Sequence, residues 1–248
     1  MHLIEDDHCK EINHAVCWAC LYIKQGINIS MIKFSLALLL AFPLLANAEP
    51  YMVLGRTIDI VPPPGYCVLG KTKAEQEYVN NYKEISKSGL ELLQASVPCT
   101  DLKKFNANML NQFPRTSLVS VVKAKGKLIL ETSTPKEFLS RIGGGMQTVD
   151  IDAVNSRLRK ALADKNFAAS MSRVTPLGSD GNAFYFAILG SVQPDGMPLQ
   201  QVTSVSAALL INKLPLNVQA SESVIVKNAA APASIVQKQV ESIISRNN

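Results

Sequence analysis

Histidine is scarce in this chain. The 248 residues contain three histidines, His2, His8 and His14, so all of them lie close to the N-terminus. They precede residues 31–48, a segment with the features of a cleavable secretion signal. Removal of that segment leaves a mature chain without histidine. This absence excludes Ser-His-Asp triads, Cys-His dyads and histidine-ligated metal sites from the mature protein.

Long hydrophobic runs are also missing. The apolar run at residues 34–45 has about a dozen residues, whereas a membrane-spanning helix needs about 20. It is preceded by a lysine and followed by Ala46-Asn47-Ala48, which satisfies the small-x-small rule for signal cleavage. We therefore expect cleavage between Ala48 and Glu49. The mature protein would be periplasmic or secreted and would meet the membrane only transiently, through its signal segment.

Residues 1–30 are unusual, because an export signal normally starts within a few residues of the initiator methionine. We interpret them as a mis-assigned start or a disordered extension, with translation beginning at Met31. Cys17 and Cys20 form a Cys-x-x-Cys pair there, but a zinc site needs a second ligand pair at a defined distance. We expect no metal and no cofactor. An uncleaved segment that anchors the protein, with residues 1–30 in the cytoplasm, is an alternative.

Only two cysteines, Cys67 and Cys99, remain after processing. An even number of cysteines in an exported protein predicts a disulfide bond, here worth about 3.5 kcal/mol in the chain-entropy model. A redox-active pair is more naturally a close Cys-x-x-Cys. The predicted role of the bond is structural.

The charge of the chain is modest and evenly spread. Twenty-five basic and 20 acidic residues give a net charge of +5, and loss of residues 1–48 raises it to +6 because that segment carries one more acid than bases. Lys123, Lys125 and Lys127 alternate closely beside a turn at Lys125-Gly126, as expected for a solvated hairpin tip. Nucleic-acid binding would need more basic residues with aromatics among them. We expect an unidentified protein or envelope component as partner, and no nucleic acid.

The mature chain, residues 49–248, is long enough for one domain and contains no internal repeat. Its first half alternates between strand and helix periods. The expected strands are residues 56–61, 65–69, 90–97, 118–122 and 128–130. The expected helices begin after the capping residues Thr72, Thr134 and Asp150, with another at residues 103–113. Thr72 with Glu75, and Thr134 with Glu137, have the spacing of capping boxes. The first of these helices should end at Gly89, and the one after Thr134 at Gly143-Gly-Gly145.

The second half has the period of strands. Turn signals at residues 178–182, 194–196 and 212–213 separate runs at 183–192, 201–211 and 216–220, which predicts an antiparallel meander. Residues 184–189 are apolar on both faces, as expected for a central strand. After a linker at 229–232, a last helix carries Val236, Val240 and Ile243 in register. The pattern predicts a single α+β domain with a mainly antiparallel sheet flanked by helices.

Few residues suggest chemistry. Ser120-Val-Val-Lys123 matches the Ser-x-x-Lys spacing of serine acyl enzymes, but on a strand the two side chains point to opposite faces. Asp150 and Asp152 suit a helix start, while Asp180 and Asp195 lie in glycine turns. We expect no catalytic residue and favour a non-enzymatic accessory or binding protein. The alternative is a carboxylate-dependent envelope hydrolase whose acid–base pair is assembled only by folding.

Some features of the mature chain form a recognisable layout. Gly65-Tyr66-Cys67 precedes a helix, a second cysteine follows about thirty residues later, and a meander and a helix ending in Asn247-Asn248 close the chain. This layout resembles small exported proteins of Gram-negative bacteria. The helix-flanked antiparallel sheet is similar to the fold of the Mog1/PsbP superfamily. The resemblance implies an accessory or binding protein and carries over no catalytic residues.

Overall fold

The computed structural model describes residues 49–163, 167–194, 198–223 and 230–248. The signal segment, Cys17, Cys20 and the three histidines lie outside these ranges. The strands are β1 (Glu49–Val53), β2 (Arg56–Ile60), β3 (Tyr66–Val68), β4 (Leu90–Pro98), β5 (Arg115–Ala124), β6 (Lys127–Leu128), β7 (Phe167–Ser179), β8 (Ala183–Pro194), β9 (Gln200–Ile211) and β10 (Leu214–Ser223). The helices are α1 (Lys73–Ser86), α2 (Cys99–Asn106), α3 (Pro135–Met146), α4 (Ile151–Leu162) and α5 (Ala230–Asn247).

One large antiparallel sheet organises the fold. Its strands lie in the order β3-β4-β5-β10-β9-β8-β7, and β6 pairs with the end of β5. Strands β7 to β10 are neighbours both in the chain and in the sheet, so the predicted meander is confirmed. The expectation that residues 184–189 form a central strand covered on both sides is correct in part: Phe184 and Phe186 pack on one face and Tyr185 and Ala187 on the other, but the strand is not at the centre of the sheet. They lie in β8, the second strand from the edge, where Leu189 is 39% exposed.

Both faces of the sheet are covered, which confirms the α+β class. On one face α5 and the β1–β2 hairpin pack on the central strands, and the predicted stripe of Val236, Val240 and Ile243 is fully buried there. On the other face α1 and α2 cover one end of the sheet through a cluster that includes Leu92, Val97 and Leu118. Helix α3 covers the other end, over Phe184 and Phe186 of β8. Among the described residues no helix is long and apolar enough to cross a membrane.

The predicted disulfide is present. Cys67 lies in the three-residue strand β3 and Cys99 is the first residue of α2, with their Cα atoms 5.0 Å apart. Because β3 pairs with the last residues of β4, the bond joins this short strand to the helix that follows its partner. Between the two cysteines lie the end of β3, helix α1 and strand β4, which are the strand, helix and strand expected at residues 65–69, after Thr72 and at residues 90–97.

The boundaries of α2, α3 and α5 differ from the sequence prediction. Helix α2 spans Cys99–Asn106 rather than 103–113: Asp101 adds a favourable charge to its first turn, and Asn108 has a left-handed φ of 56° just after it. Helix α3 does not stop at the three glycines but runs on to Met146. Helix α5 includes Pro232 of the expected linker, because proline is tolerated in a first turn.

The N-terminal hairpin contains a strand that the sequence pattern did not reveal. Strand β1 pairs in register with β2 from Glu49↔Ile60 to Val53↔Arg56. Leu54 and Gly55 make the turn between them, with φ values of 48° and 72°. Strand β2 carries Ile58 and Ile60, which are fully buried against the α5 side of the sheet. The predicted run at residues 56–61 was therefore only half of a hairpin.

Candidate functional site

Half of strand β4 has an open edge. Strand β3 pairs only with the last part of β4, in the register Tyr66↔Pro98 to Val68↔Ser96. The Leu69 N–H then donates to the Ala95 carbonyl over 2.9 Å. Among the described strands, none pairs with residues 90–94 of β4 on that side. Their outward backbone groups form a sheet edge that another extended chain could complete.

Glu75 holds the chain where it leaves β3. Its buried carboxylate accepts hydrogen bonds from the Gly70 N–H (3.0 Å), the Lys71 N–H (2.8 Å) and the Asn106 side-chain amide (2.9 Å). Burial alone would raise the pKa of Glu75, but these hydrogen bonds outweigh burial and the pKa is lowered. Gly70, with a φ of 120°, turns the chain away from β4 at this point.

The capping box expected at Thr72 is therefore only half formed. The Thr72 hydroxyl accepts a hydrogen bond from the Glu75 N–H over 3.3 Å, as predicted. The Glu75 carboxylate bonds the preceding turn and α2 instead of the Thr72 N–H. The second predicted box, at Thr134 and Glu137, is complete, with Pro135 in the first turn.

A pocket of about 350 Å³ lies along the open edge of β4. One wall is β4, the other is α1, and the end of β3 closes one end. Its lining residues are Tyr51, Val68, Leu69, Gly70, Gln76, Val79, Asn80, Lys83, Leu92, Leu93, Gln94 and Ala95. We call this the β4-edge pocket. It occupies the position into which β3 would continue if it were as long as β4.

The two ends of the β4-edge pocket differ chemically. Helix α1 ends at Ser86, shortly before β4 begins at Leu90, and α1 and β4 run in opposite directions. The end of α1 therefore lies near the start of β4. Gln76 lies at the β3 end, where its side-chain amide donates to the Gly70 carbonyl over 3.1 Å. Lys83, two turns further along α1, therefore lies toward the Leu92 end.

Lys83 is the charged residue of the pocket. No carboxylate is among its described lining residues, and within the described part of the chain Lys83 forms no ion pair. Lys87, one turn later, differs because its ammonium pairs with Glu84 over 2.7 Å. The pocket consequently offers an exposed positive charge at one end.

Gln94 adds a buried polar group to the pocket wall. Its side chain is 2% exposed, and its amide nitrogen lies 3.5 Å from the Ile60 carbonyl. Its Oε1 atom has no hydrogen-bond partner among the described residues. A buried acceptor without a donor costs about 1–3 kcal/mol.

The same stretch of β4 is irregular. The pairing with β5 shifts register between Leu92 and Gln94, which is a β-bulge at Leu93. Bulges increase the local twist and are frequent at sheet edges and binding sites, where they redirect side chains. Here the bulge places both Leu93 and Gln94 in the lining of the pocket.

A second pocket, of about 320 Å³, lies between α4 and the strands β7 and β8. Asp152 and Arg159 line it. Asn155 also lines it and already occupies the nearby strand edge: its amide donates to the Met171 carbonyl over 2.8 Å and accepts from the Met171 N–H over 2.7 Å. Because this edge position is satisfied internally, the pocket is the weaker candidate for an extended ligand.

The sequence-predicted candidates for chemistry do not converge. Ser120 is buried in β5, whereas the Lys123 ammonium binds Glu91 over 2.5 Å, so the Ser-x-x-Lys match has no catalytic geometry. Asp150 caps α4 by accepting from the Ala153 N–H. Asp180 stabilises its turn and accepts from the Tyr185 hydroxyl over 2.8 Å.

Other predicted positions lie at or beyond the limit of the described residues. Asp195 falls outside them, as do Ala46 and Ala48 of the expected cleavage site. Glu49, the expected first residue of the mature chain, begins β1. The described residues contain no group of three or more His, Cys, Asp or Glu side chains placed to hold a metal ion.

Several acidic groups have structural partners. Asp101 binds Arg115 over 3.0 Å, and Glu131 binds Arg141 and the Ser133 N–H. The pKa of Glu131 is lowered, chiefly by the Ser133 hydrogen bond. The pKa of Asp180 is lowered as well, because its hydrogen bonds outweigh the effect of burial. A general acid of a hydrolase needs the opposite shift.

Sequence reasoning missed the residues of the β4-edge pocket. Gln76, Asn80 and Lys83 recur at helical spacing on α1, beside the aromatic stripe of Tyr78 and Tyr82 that packs on the sheet. That polar stripe was the available signal. However, a polar stripe of this kind is found on the solvent-exposed face of almost any helix, so it does not identify a pocket. The difference in length between β3 and β4, which creates the pocket, is visible only when the strands are paired in the sheet.

No family model and no curated protein matches the chain. Solved structures give distant likenesses. Cyanobacterial PsbP (CyanoP) from Synechocystis is 11% identical, with a TM-score of 0.32 over 83% of this chain and 93% of that one. The Saccharomyces cerevisiae Ran-binding protein Mog1p is 13% identical, with a TM-score of 0.30 over 82% of this chain and 94% of that one. Similarity at this level carries no argument about function.

Proposed function

We propose that this protein is an exported, non-enzymatic binding protein that takes an extended peptide at the β4-edge pocket. The observation that carries the proposal is the pocket of about 350 Å³ at the place where β3 stops and β4 continues unpaired. This volume is at the lower end of the usual range for ligand pockets. It suits a short segment rather than a folded domain.

The edge of β4 favours an extended peptide over other ligands. An unpaired strand presents a regular row of N–H and C=O groups, which a peptide can pair with as an added strand. Side chains of such a peptide would alternate between the α1 wall and the opposite side, where Tyr51 contributes. Main-chain pairing would give affinity, and the two walls would give selectivity.

Three features support binding without chemistry and action outside the cytoplasm. The described lining of the β4-edge pocket contains no carboxylate, and the second pocket is lined by one, Asp152. The carboxylates with shifted pKa values accept hydrogen bonds that stabilise turns and helix starts. The Cys67–Cys99 bond agrees with an oxidising compartment, as does the predicted signal segment.

The test is a nuclear magnetic resonance titration of the protein. The full chain, with its own signal segment, is expressed, and the protein is purified as processed by the host. The probe is a pool of tetrapeptides blocked at both ends, with alternating apolar and polar residues. We expect amide shifts concentrated at residues 68–70 and 92–95. Shifts confined to the β7 edge, or no shifts at millimolar peptide, would contradict the proposal.

A further inference from the structure

We propose that the β4-edge pocket selects an acidic peptide segment that lies antiparallel to β4, with an aspartate or glutamate near its carboxyl end beside Lys83. This inference rests on the proposed function and names the ligand of the same site. It follows from three properties of the pocket: its direction, its length and its charge.

The direction of the ligand follows from the geometry of the sheet. All the strand pairings of the large sheet are antiparallel, and β3 already runs antiparallel to β4 at the closed end of the pocket. A peptide that continues the path of β3 keeps the same hydrogen-bond pattern along the edge. Its amino end would lie near Gly70 and its carboxyl end near Leu92.

The length of the pocket limits the segment. The β4 residues in its lining run from Leu92 to Ala95. At about 3.4 Å per residue, three intervals span about 10 Å, which is matched by about four residues of extended peptide. The inward N–H and C=O groups of such a segment would pair with the outward backbone groups of β4, as those of β3 do further along the strand.

The charge of the pocket selects the ligand's chemistry. Lys83 is at the Leu92 end, where the carboxyl end of an antiparallel segment would lie. Asn80, one turn earlier on the same helix, adds an amide donor. Because the described lining contains no carboxylate, a basic side chain of a bound peptide would find no oppositely charged partner there. An acidic side chain could form an ion pair with Lys83. The net charge of +6 for residues 49–248 favours the approach of an acidic segment.

The experiment compares three tetrapeptides blocked at both ends: Ac-Val-Thr-Val-Glu-NH₂, the same peptide with glutamine for glutamate, and the reversed placement Ac-Glu-Val-Thr-Val-NH₂. Binding is measured from amide shifts of residues 92–95 in the unmodified protein, Lys83→Gln and Lys87→Gln. Lys87 is the matched control because it directly follows the last residue of α1, lies outside the pocket and is paired with Glu84.

We expect the first peptide to bind about two- to fivefold more tightly than the other two, the range usual for one exposed ion pair. Lys83→Gln should abolish that preference, and Lys87→Gln should retain it. Equal binding of all three peptides, tighter binding of the reversed peptide, or an unchanged preference in Lys83→Gln would overturn the inference while leaving peptide binding intact. Absence of shifts with every peptide would overturn the proposed function as well.

Discussion

Asn247, near the end of the last helix, pairs with the backbone of Asp59 as a neighbouring strand would. Its Oδ1 accepts from the Asp59 N–H over 2.9 Å, and its Nδ2 donates to the Asp59 carbonyl over 3.0 Å. The same Nδ2 also donates to the Ile243 carbonyl over 2.8 Å. One amide side chain thus joins the N-terminal hairpin to the C-terminal helix, across 188 positions of sequence.

Replacing Asn247 with alanine should therefore destabilise the fold. It leaves the N–H and C=O of Asp59 without partners at a part-buried position, which we expect to lower the free energy of unfolding by about 1–2 kcal/mol. Urea denaturation measures the change. Asn248→Ala is the matched control and should stay within about 0.5 kcal/mol, as usual for exposed positions. Equal effects of the two substitutions would contradict this role for Asn247.

Asn155 of α4 makes the same type of contact with Met171 on the edge strand β7. We expect Asn155→Ala to free the backbone groups of Met171 and to promote edge-to-edge association, in addition to a loss of about 1–2 kcal/mol. Analytical ultracentrifugation at increasing concentration detects the association. Ser156→Ala, next to it on the exposed side of α4, should remain like the unmodified protein. A fully monomeric Asn155→Ala would disprove the edge-protecting role.

Adjacent glycines of α3 should respond in opposite ways to alanine. A Cβ atom at Gly143 would lie 2.9 Å from Cε2 of Phe184, whereas one at Gly144 would meet nothing within 4 Å. Gly144→Ala should raise stability by about 0.5–1 kcal/mol through helix propensity. Gly143→Ala should lose that gain or reverse it, because the buried Phe184 ring must move. Thermal unfolding of both variants tests this prediction. Equal stabilisation by the two substitutions would contradict it, because it would show that the Phe184 ring moves aside at no cost.

Glu75 should make stability depend on pH. Its pKa is lower in the folded protein than its ordinary value of 4.5, so its contribution is present above pH 4.5 and is lost as pH falls through the folded pKa. Glu75→Gln should cost about 1–3 kcal/mol at pH 7, because an amide donor replaces part of the acceptor carboxylate. Urea denaturation at pH 7 and pH 3 should show the difference between the two proteins shrinking at the lower pH. A difference independent of pH would contradict this role.

The sequence predicted the main elements because their signals are local. Thr134, Pro135 and Glu137 define a helix start through contacts within one turn, and the residues at 178–182 and 212–213 define turns in the same way. The end of α3 was mispredicted for a tertiary reason. Gly143 continues the helix because it packs against Phe184 of β8, and a run of glycines gives no sign of such a partner.

The candidate site could not be predicted from the sequence for a similar reason. It depends on β3 being three residues long beside a nine-residue β4, and on Glu75 bonding the Gly70 and Lys71 amides instead of completing its capping box. The first fact requires the register of the sheet, and the second requires the position of Asn106 on α2, which also binds the Glu75 carboxylate. The two cysteines were the exception, because an even pair in an exported chain is informative without a fold.

If the protein is exported and its signal segment is cleaved, the mature chain contains neither the histidines nor the Cys17-x-x-Cys20 pair. The most direct test is the intact mass of the protein recovered from the envelope fraction of its host. We predict a chain that begins at Glu49, is two hydrogens lighter than its reduced form, and takes up alkylating agent at Cys67 and Cys99 only after reduction. A species that retains residues 1–30 would contradict the account, and metal content would then be the next measurement.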